Sequence, residues 1–110
     1  MSALNGMLGL CARAGKLISG EQAVIAQVRR QATALVLADA AASDNSQKAL
    51  KDACAHHQVT LYFLPPGELG EAIGRPGRMA VAVTDASFAA RLKQLLETNK
   101  TSTEKARGCM

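Results

Sequence analysis

The sequence predicts an α/β protein, a three-layer α/β/α sandwich with a central, largely parallel or mixed sheet of about four short strands. Three short apolar runs without polar alternation indicate strands that are buried on both faces, at residues 34–38, 59–64 and 79–83. Segments with apolar residues at spacings of three and four, which indicate helices, separate these runs. The connections are long enough for crossovers, so we expect helices on both faces of the sheet.

The composition fits one compact domain. The chain has 110 residues, and its aromatic content of 3% means that Ala, Val, Leu and Ile must build the core. The three cysteines are odd in number and lack CxxC spacing, which favours neither a disulfide framework nor a zinc site. No apolar run approaches the roughly 18 residues that span a bilayer. We therefore expect a monomeric cytoplasmic protein with no membrane partner.

The amino-terminal half predicts two helices and a strand. Apolar side chains recur every three or four positions over residues 3–14, and Gly15 follows as a helix stop. Ser19 and Gln22 have the spacing of a capping box, in which each side chain bonds the other's backbone N–H. A second helix is therefore expected to begin there and to end near Arg30. The first strand follows, and Asp39 marks its exit.

The carboxy-terminal half predicts three more helices. Cap residues at 43–47 begin a helix that continues through His57. A short helix over residues 68–73 is closed by Gly74, since glycine readily adopts the left-handed conformation at a helix end. Thr84 and Asp85 cap the last helix. The second and third strands lie between these helices, which completes the α/β alternation.

Residues 98–110 are polar and have no apolar periodicity, which predicts a flexible tail outside a domain formed by residues 1–97. This tail has three basic residues against one acidic residue, so it carries +2 of the net charge of +4. The folded part is therefore only mildly basic. Its charge favours approach to a polyanion without identifying one.

The junction between the first two helices is one candidate binding site. The amino terminus of a helix presents unpaired N–H groups and positive partial charge, which suit a phosphate. Arg13 and Lys16 lie just before the second helix. Gly20 has no side chain and allows a nucleic-acid backbone to approach closely, and the side chain of Gln22 is long enough to contact the edge of a base. Capping alone also explains Gln22, so a purely structural role stays open.

The second candidate is the turn-rich loop Gly74-Arg75-Pro76-Gly77-Arg78. It holds two guanidiniums on a backbone that proline stiffens and the glycines free. Such a loop suits contact with phosphates. A solvated connector before a strand explains the same residues, and both interpretations are open on the sequence.

The remaining reactive residue types form no recognisable catalytic set. Cys11 and Cys54 fall on apolar helical stripes and are expected in the core. No carboxylate or cysteine completes a metal-ligand spacing beside His56 and His57. Phosphate-loop, dinucleotide-binding and nucleophile-elbow sequences do not occur. We therefore expect no catalytic residues, no metal and no cofactor.

A combination of short motifs, in order and spacing, resembles the bacterial YlxQ-type branch of the ribosomal protein seven-Ae and thirty-e family, and it covers residues 4–96. The matching segments are Leu8-Gly9-Leu10-Cys11-Ala12-Arg13-Ala14-Gly15-Lys16, Ser19-Gly20-Glu21, Leu35-Val36-Leu37-Ala38, Glu68-Leu69-Gly70-Glu71-Ala72-Ile73-Gly74 and Ala80-Val81-Ala82-Val83-Thr84-Asp85. The resemblance implies an α/β/α sandwich that binds structured RNA, ribosomal RNA among the candidates, in a ribosomal or regulatory role. Many relatives recognise a kink-turn, which is a sharply bent RNA with sheared G·A pairs and an extruded base.

The resemblance also implies which residues contact RNA. They are Gly20, Glu21 and Gln22 at the start of the second helix, Asp39 to Ala42 after the first strand, and Gly74 to Arg78 before the last strand. Kink-turn binders usually have Asn and Glu after the glycine and a Lys further along. Here the matching positions hold Gln22, Ala23 and Ala26.

Two other classes of function are weighed against RNA binding. The first is a protein-interaction module, with a docking face formed by the Ala-rich connector at 38–42 and the short helix at 68–73. An apolar, charge-poor surface on these two segments would favour it. An enzyme is the least favoured class, because the sequence has no nucleophile, metal cluster or phosphate loop.

Overall fold

The computed structural model describes residues 3–98 and 104–106, in which helices and strands alternate along the chain. The helices are α1 Ala3–Arg13, α2 Glu21–Arg29, α3 Asp44–His56, α4 Glu68–Ile73 and α5 Ala86–Thr98. The strands are β1 Leu17–Ser19, β2 Leu35–Asp39, β3 Thr60–Leu64, β4 Ala80–Val83 and β5 Glu104–Ala106. All five predicted helices and the three predicted strands are present.

The strands form one mixed sheet in the order β1-β4-β2-β3-β5. Strands β2 and β3 pair in parallel, whereas β1 and β2 each pair with β4 in antiparallel orientation, and so does β5 with β3. The mixed alternative of the prediction is confirmed, and the largely parallel one is wrong.

The length of α4 explains the antiparallel orientation of β4. A parallel connection usually runs through a helix that returns the chain along the length of the sheet. Helix α3 has 13 residues and does so between β2 and β3. Helix α4 has 6 residues and spans only about 9 Å, against about 17 Å for a five-residue strand. The chain therefore enters β4 at the end of the sheet where it left β3.

Two hydrophobic cores lie on the two faces of the sheet, which confirms the three-layer sandwich. Leu35 and Leu37 of β2 face α1, α4 and α5, and Val36 and Ala38 face α2 and α3. Successive strand residues point to opposite faces, so a strand with helices on both faces must be apolar at every position. This arrangement explains the absence of polar alternation in β2, where all five residues are buried.

Three predicted helix ends are confirmed by their contacts. The Ser43 hydroxyl accepts a hydrogen bond from Ser46 N at 3.2 Å at the start of α3. Asp85 Oδ1 accepts one from Phe88 N at 3.0 Å at the start of α5. Gly74 ends α4 in the left-handed conformation, with φ 73°. These caps satisfy or redirect backbone groups that a helix end leaves unpaired.

The predicted capping box at the start of α2 is wrong. Gly20 is the N-cap residue, with φ 105°, and no side chain caps the helix. Ser19 instead ends β1, a three-residue strand that the sequence analysis missed, and it pairs with Val81. The spacing of Ser19 and Gln22 matched a local motif, but strand pairing with β4 determines where the hydroxyl points.

The predicted tail overlaps a strand. Residues 104–106 pair with β3 in antiparallel orientation, so the expectation of a flexible segment is wrong for these three residues. The rest of the segment beyond residue 98 lies outside the described residues, and the division into a domain and a tail stays a prediction. Over 3–98 and 104–106, no helix has the length and apolar character needed to cross a bilayer.

The buried thiols should make the fold sensitive to alkaline pH. Burial raises the pKa of Cys54 to about 11, and burial followed by the charge of Asp85 raises the pKa of Cys11 to about 11. A raised folded-state pKa gives stability that is present below the unfolded-state value near 9 and is lost as the pH rises towards 11. We expect each thiol to lower the free energy of unfolding by at most about 1.4 kcal/mol per pH unit in this window.

Urea denaturation at pH 8 and at pH 10.5 measures this loss in the wild type and in Cys54→Ala. The variant is less stable at both pH values because of its cavity, but its decrease between them should be smaller. Equal decreases in the two proteins would show that ionisation of Cys54 does not contribute.

Candidate functional site

Four connections meet at one end of the sheet and form a surface that we call the loop face, made of residues 19–22, 39–43, 64–67 and 74–79. Backbone hydrogen bonds join these connections. Gly20 N donates to Ala80 O at 3.0 Å, Asp39 N to Met79 O at 2.8 Å, and Ala40 N to Leu64 O at 2.9 Å. The connections are therefore held by the ends of the strands and by one another.

Asp39 holds two parts of the loop face together from inside. Its side chain is 1% exposed. Oδ1 accepts a hydrogen bond from Ala41 N at 2.7 Å, and Oδ2 accepts one from Gly67 N at 2.8 Å. The carboxylate is thus turned into the protein, and it positions the connection after β2 beside the connection after β3.

The loop over residues 74–78 folds back onto α4 at Gly70. A Cβ on Gly70 would lie 2.9 Å from Arg75 O, closer than real Cβ atoms come, and 3.1 Å from Pro76 Cα, a tight contact. Arg75 N donates to Gly70 O at 2.8 Å, and Gly77 has φ 90°. The loop conformation therefore depends on two features of glycine, the missing side chain of Gly70 and the backbone freedom of Gly77.

The two arginines of this loop lie beside neighbouring elements, Arg78 at the start of α2 and Arg75 beside β1 and α1. A Cβ on Gly20 would be 3.6 Å from Arg78 Nη1, so the guanidinium of Arg78 lies against the N-cap. Arg75 lines a cavity of about 200 Å³ together with Ser19 of β1 and Ala12 of α1. Both arginines are exposed. The structure thus brings together the two sites that the sequence predicted separately.

The start of α2 offers backbone donors and one carboxylate. Helix geometry leaves the N–H groups of residues 21–23 without an intrahelical acceptor, and no side chain caps them. Gln22 is exposed and leaves the helix end open. Glu21 is half-buried, and its Oε1 accepts a hydrogen bond from Ser46 Oγ in α3 at 2.5 Å. This bond ties the first turns of α2 and α3 together.

Two basic residues that the sequence analysis assigned to the site lie outside the loop face. Lys16 precedes β1, and its carbonyl accepts a hydrogen bond from Thr84 N at 2.9 Å, at the end of the sheet opposite to Gly20. About 13 Å of extended chain separates the two positions. Arg13 is exposed in the last turn of α1, next to Ala12 at the cavity wall. Neither residue is part of the loop face.

The sequence analysis missed three residues that shape the loop face. Gly70 lies in the matched segment 68–74 but was not assigned to the site, although a glycine inside a short helix is a signal of close packing. The role of Ser46 also could not be recognised from the sequence, because Glu21, which accepts its hydrogen bond, is 25 residues away in the chain. Met79 is 36% exposed where an apolar strand begins, and it borders the exposed Ala40 and Ala41 connection through the bond to Asp39.

The loop face combines exposed apolar groups with cations and backbone donors. Met79, Pro66 and Pro76 are exposed apolar side chains, and Arg75 and Arg78 supply positive charge. The Ala-rich connector at 38–42, which the protein-interaction alternative uses as a docking face, is only partly exposed, since Ala38 and Ala42 are buried. Among the described residues, no group of three or more His, Cys, Asp or Glu side chains could hold a metal ion.

The fold and this face define a class of protein: an α/β/α sandwich with a loop-built, cationic and apolar surface at one end of a mixed sheet. The chain belongs to the ribosomal protein L7Ae/L30e/S12e/Gadd45 family, whose model matches residues 2–93. The resemblance drawn from the sequence is confirmed.

Known relatives are similar over most of the chain. The RNA-binding protein YlxQ of Bacillus subtilis (strain 168) is 40% identical over 92 residues, which are 83% of this chain and 92% of the relative. The RNA-binding protein YlxQ of Enterococcus faecium is 36% identical over 92 residues, or 83% of this chain and 88% of the relative.

Solved structures support the architecture. A protein of unknown function from Bacillus halodurans C superposes with a TM-score of 0.84 at 32% identity, covering 88% of this chain and 99% of that one. The Giardia lamblia 15.5kD RNA binding protein superposes with a TM-score of 0.68 at 20% identity, covering 89% and 84%. The second likeness shows the shared fold alone.

Proposed function

We propose that this protein binds structured RNA through the loop face. The observation that carries the proposal is the position of the Arg78 guanidinium against Gly20, at the uncapped start of α2. A cation, a row of free N–H groups and the positive end of a helix macrodipole converge there, and all three favour a phosphate. The curated relatives bear the name RNA-binding protein YlxQ, which supports RNA as the polyanion.

The proposed mode of binding is recognition of RNA shape. Arg75, Arg78 and the N–H groups of residues 21–23 contact phosphates, which positions the RNA without reading its sequence. Met79 and Pro76 offer exposed apolar surface beside these cations, against which an unstacked base packs. Duplex RNA offers no such base, so a bent or interrupted RNA is the better ligand.

A kink-turn is the structured RNA that we propose as the first ligand to test. Gln22, Ala23 and Ala26 are exposed at the positions where kink-turn binders have Asn, Glu and Lys. Contacts from these positions are therefore reduced, and the loop over residues 74–78 must supply more of the affinity. A monomeric state, a cytoplasmic location and a ribosomal or regulatory role stay predictions.

We propose no catalytic role. The two described cysteines, Cys11 and Cys54, have pKa values raised to about 11 by burial, so they are protonated and poor nucleophiles at neutral pH. The loop face holds backbone donors and arginines, but its carboxylates are too few and too engaged for an acid and base pair.

Replacing Arg75 and Arg78 together with alanine tests the proposed site. We expect RNA affinity to fall by about 1 to 3 kcal/mol, because charge-assisted hydrogen bonds to phosphates are lost. The slope of log affinity against log salt should become shallower by about 0.7 to 0.9 for each phosphate contact removed. Fluorescence titration of a labelled kink-turn RNA at two salt concentrations measures both quantities.

The matched control is Arg29→Ala with Arg30→Ala. These arginines are exposed at the far end of α2, and their removal changes the net charge equally. We expect this control to lose much less affinity than the loop variant. Equal losses and equal salt slopes in the two double variants would remove the 74–78 loop from the site.

A further inference from the structure

We infer that the outer edge of β1 binds an extended, acidic segment of a partner protein, which adds a strand to the sheet beside Leu17–Ser19. The inference gives a role to Arg13 and Lys16, two exposed basic residues that the loop face does not contain. It goes beyond RNA binding and does not depend on it. The surface is also separate from the Ala-rich connector at 38–42.

The backbone of β1 has one side bonded to β4 and one side that faces away from the sheet. Lys16 O and Gly20 N make hydrogen bonds to β4, at 2.9 and 3.0 Å, and position 18 lies between them in the same register. Residues of an antiparallel pair alternate between those that bond the partner and those that do not. Leu17 and Ser19 are the alternate residues, so their N–H and C=O groups point outward from the edge.

The two edges of the sheet differ in how they are covered. Strand β5 pairs with β3 at one edge, whereas no strand of the described chain pairs with the outer side of β1. An unpaired edge is a template for a further strand, and proteins often protect such edges with proline or charged side chains. Strand β1 contains neither, and its three residues are half-buried. The edge is therefore suited to pairing with a strand from another protein.

A cavity of about 200 Å³ beside β1 provides a place for a side chain of that strand. It is lined by Ala12, Leu17, Ser19, Ile73 and Arg75, on the face of the sheet that α1 and α4 cover. Opposite residues of neighbouring strands point their side chains to the same face. A strand paired with β1 therefore directs alternate side chains to the face with the cavity, where the guanidinium favours a carboxylate.

The charge around the edge determines which occupant fits. Residues 12–20 and 73–78 hold four exposed cations and no acidic residue; the cations are Arg13, Lys16, Arg75 and Arg78. An acidic strand is attracted to them, whereas a second copy of this chain would bring the same cations against them. Residues 98–110 carry +2 and are disfavoured for the same reason. RNA has no peptide N–H and C=O groups to pair with the edge, so the occupant is an acidic protein segment.

An NMR titration of the full-length protein, labelled with nitrogen-15, tests the inference. The probe is a peptide of about seven residues in which valine and glutamate alternate, so that all carboxylates lie on one face. We expect the amide signals of Leu17 and Ser19 to shift more than that of Ile18, whose N–H already bonds β4. The same peptide with lysine in place of glutamate should bind at least about ten-fold more weakly.

Three outcomes of this titration would overturn the inference. They are the absence of binding by the glutamate peptide, equal affinity for the two peptides, and shifts that leave the amides of Leu17 and Ser19 unchanged.

A backbone variant tests the strand pairing itself. Leu17→Pro removes an outward N–H, and proline is tolerated on an edge strand where its nitrogen faces away from the sheet. We expect this variant to bind the glutamate peptide about five-fold more weakly, because one hydrogen bond is lost. An unchanged affinity in the folded variant would contradict pairing through β1.

A charge variant keeps the proposal testable if Leu17→Pro does not fold. Lys16→Glu leaves the backbone intact and should weaken the glutamate peptide about three- to five-fold. The matched control is Lys48→Glu, which makes the same change of net charge at an exposed position of α3 and should leave the affinity unchanged. Equal losses in the two variants would show that the charge at the edge of β1 does not select the partner.

Peptide binding and RNA binding can be separated, although Arg75 contributes to both proposed sites. Arg75→Ala should weaken both ligands, whereas Leu17→Pro should weaken the peptide alone, since Leu17 lies outside the loop face. If RNA binding is absent and the peptide still shifts the amides of Leu17 and Ser19, the proposed function fails and this inference stands. The opposite result leaves RNA binding in place and overturns the peptide site.

Discussion

Replacing Asp39 with alanine is expected to lower the free energy of unfolding by about 3 kcal/mol. The carboxylate is 1% exposed and accepts hydrogen bonds from Ala41 N and Gly67 N, at 2.7 and 2.8 Å. Without it, two backbone N–H groups lose their acceptor, and an unsatisfied buried donor costs about 1 to 3 kcal/mol. Urea denaturation at neutral pH measures the change.

Two further substitutions make this prediction specific. Asp39→Asn keeps the shape and one oxygen, but its amide group faces a backbone donor, so we expect it to restore less than half of the loss. Asp44→Ala removes an exposed carboxylate from the first turn of α3 and should cost about 0.5 kcal/mol. A midpoint for Asp39→Ala that equals that of Asp44→Ala would contradict the role of Asp39 as the internal link.

Gly70→Ala is expected to weaken RNA binding by at least about ten-fold, with a smaller effect on stability. The added Cβ would lie 2.9 Å from Arg75 O and 3.1 Å from Pro76 Cα, and these are backbone atoms that move only with the loop. Overpacking of this kind costs about 1 to 3 kcal/mol, and the higher helix propensity of alanine offsets part of it. The guanidinium of Arg78 on the displaced loop then no longer lies against Gly20.

Gly6→Ala is the matched control, since a Cβ at Gly6 meets no atom within 4 Å and Gly6 is exposed in α1. It should raise the free energy of unfolding by up to about 1 kcal/mol and leave RNA affinity unchanged. Amide chemical shifts report whether the loop over residues 74–78 moves in Gly70→Ala. If the loop shifts while affinity is retained, its conformation is not required for binding.

Local signals in the sequence predicted most of the helices and the buried strands. Ser43 and Asp85 cap α3 and α5 because a side-chain oxygen reaches an N–H three residues on, a contact that spacing reveals. The apolar runs in β2, β3 and β4 were equally clear, since helices cover both faces of the sheet. In each case the deciding interaction is local or requires only burial.

Features that depend on distant partners could not be predicted. The three-residue strand β1 exists because Leu17–Ser19 pairs with β4, more than 60 residues further on. That pairing overrode the capping-box spacing of Ser19 and Gln22. The same reason concealed the burial of Asp39, which is satisfied by Gly67, and the packing of Gly70 against the 74–78 loop. Sequence motifs located the start of α2 and the loop over residues 74–78. Tertiary contacts determine which side chains of these segments are exposed.

The most direct test of RNA recognition by the loop face is a titration of a labelled kink-turn RNA against an unbent duplex of equal length, at two salt concentrations. The account predicts tighter binding of the kinked RNA with a shallow salt dependence, because a few phosphate contacts act together with packing on an unstacked base. Equal and steeply salt-dependent binding of both RNAs would contradict shape recognition. No binding of either RNA would contradict the proposed function and favour the protein-interaction alternative.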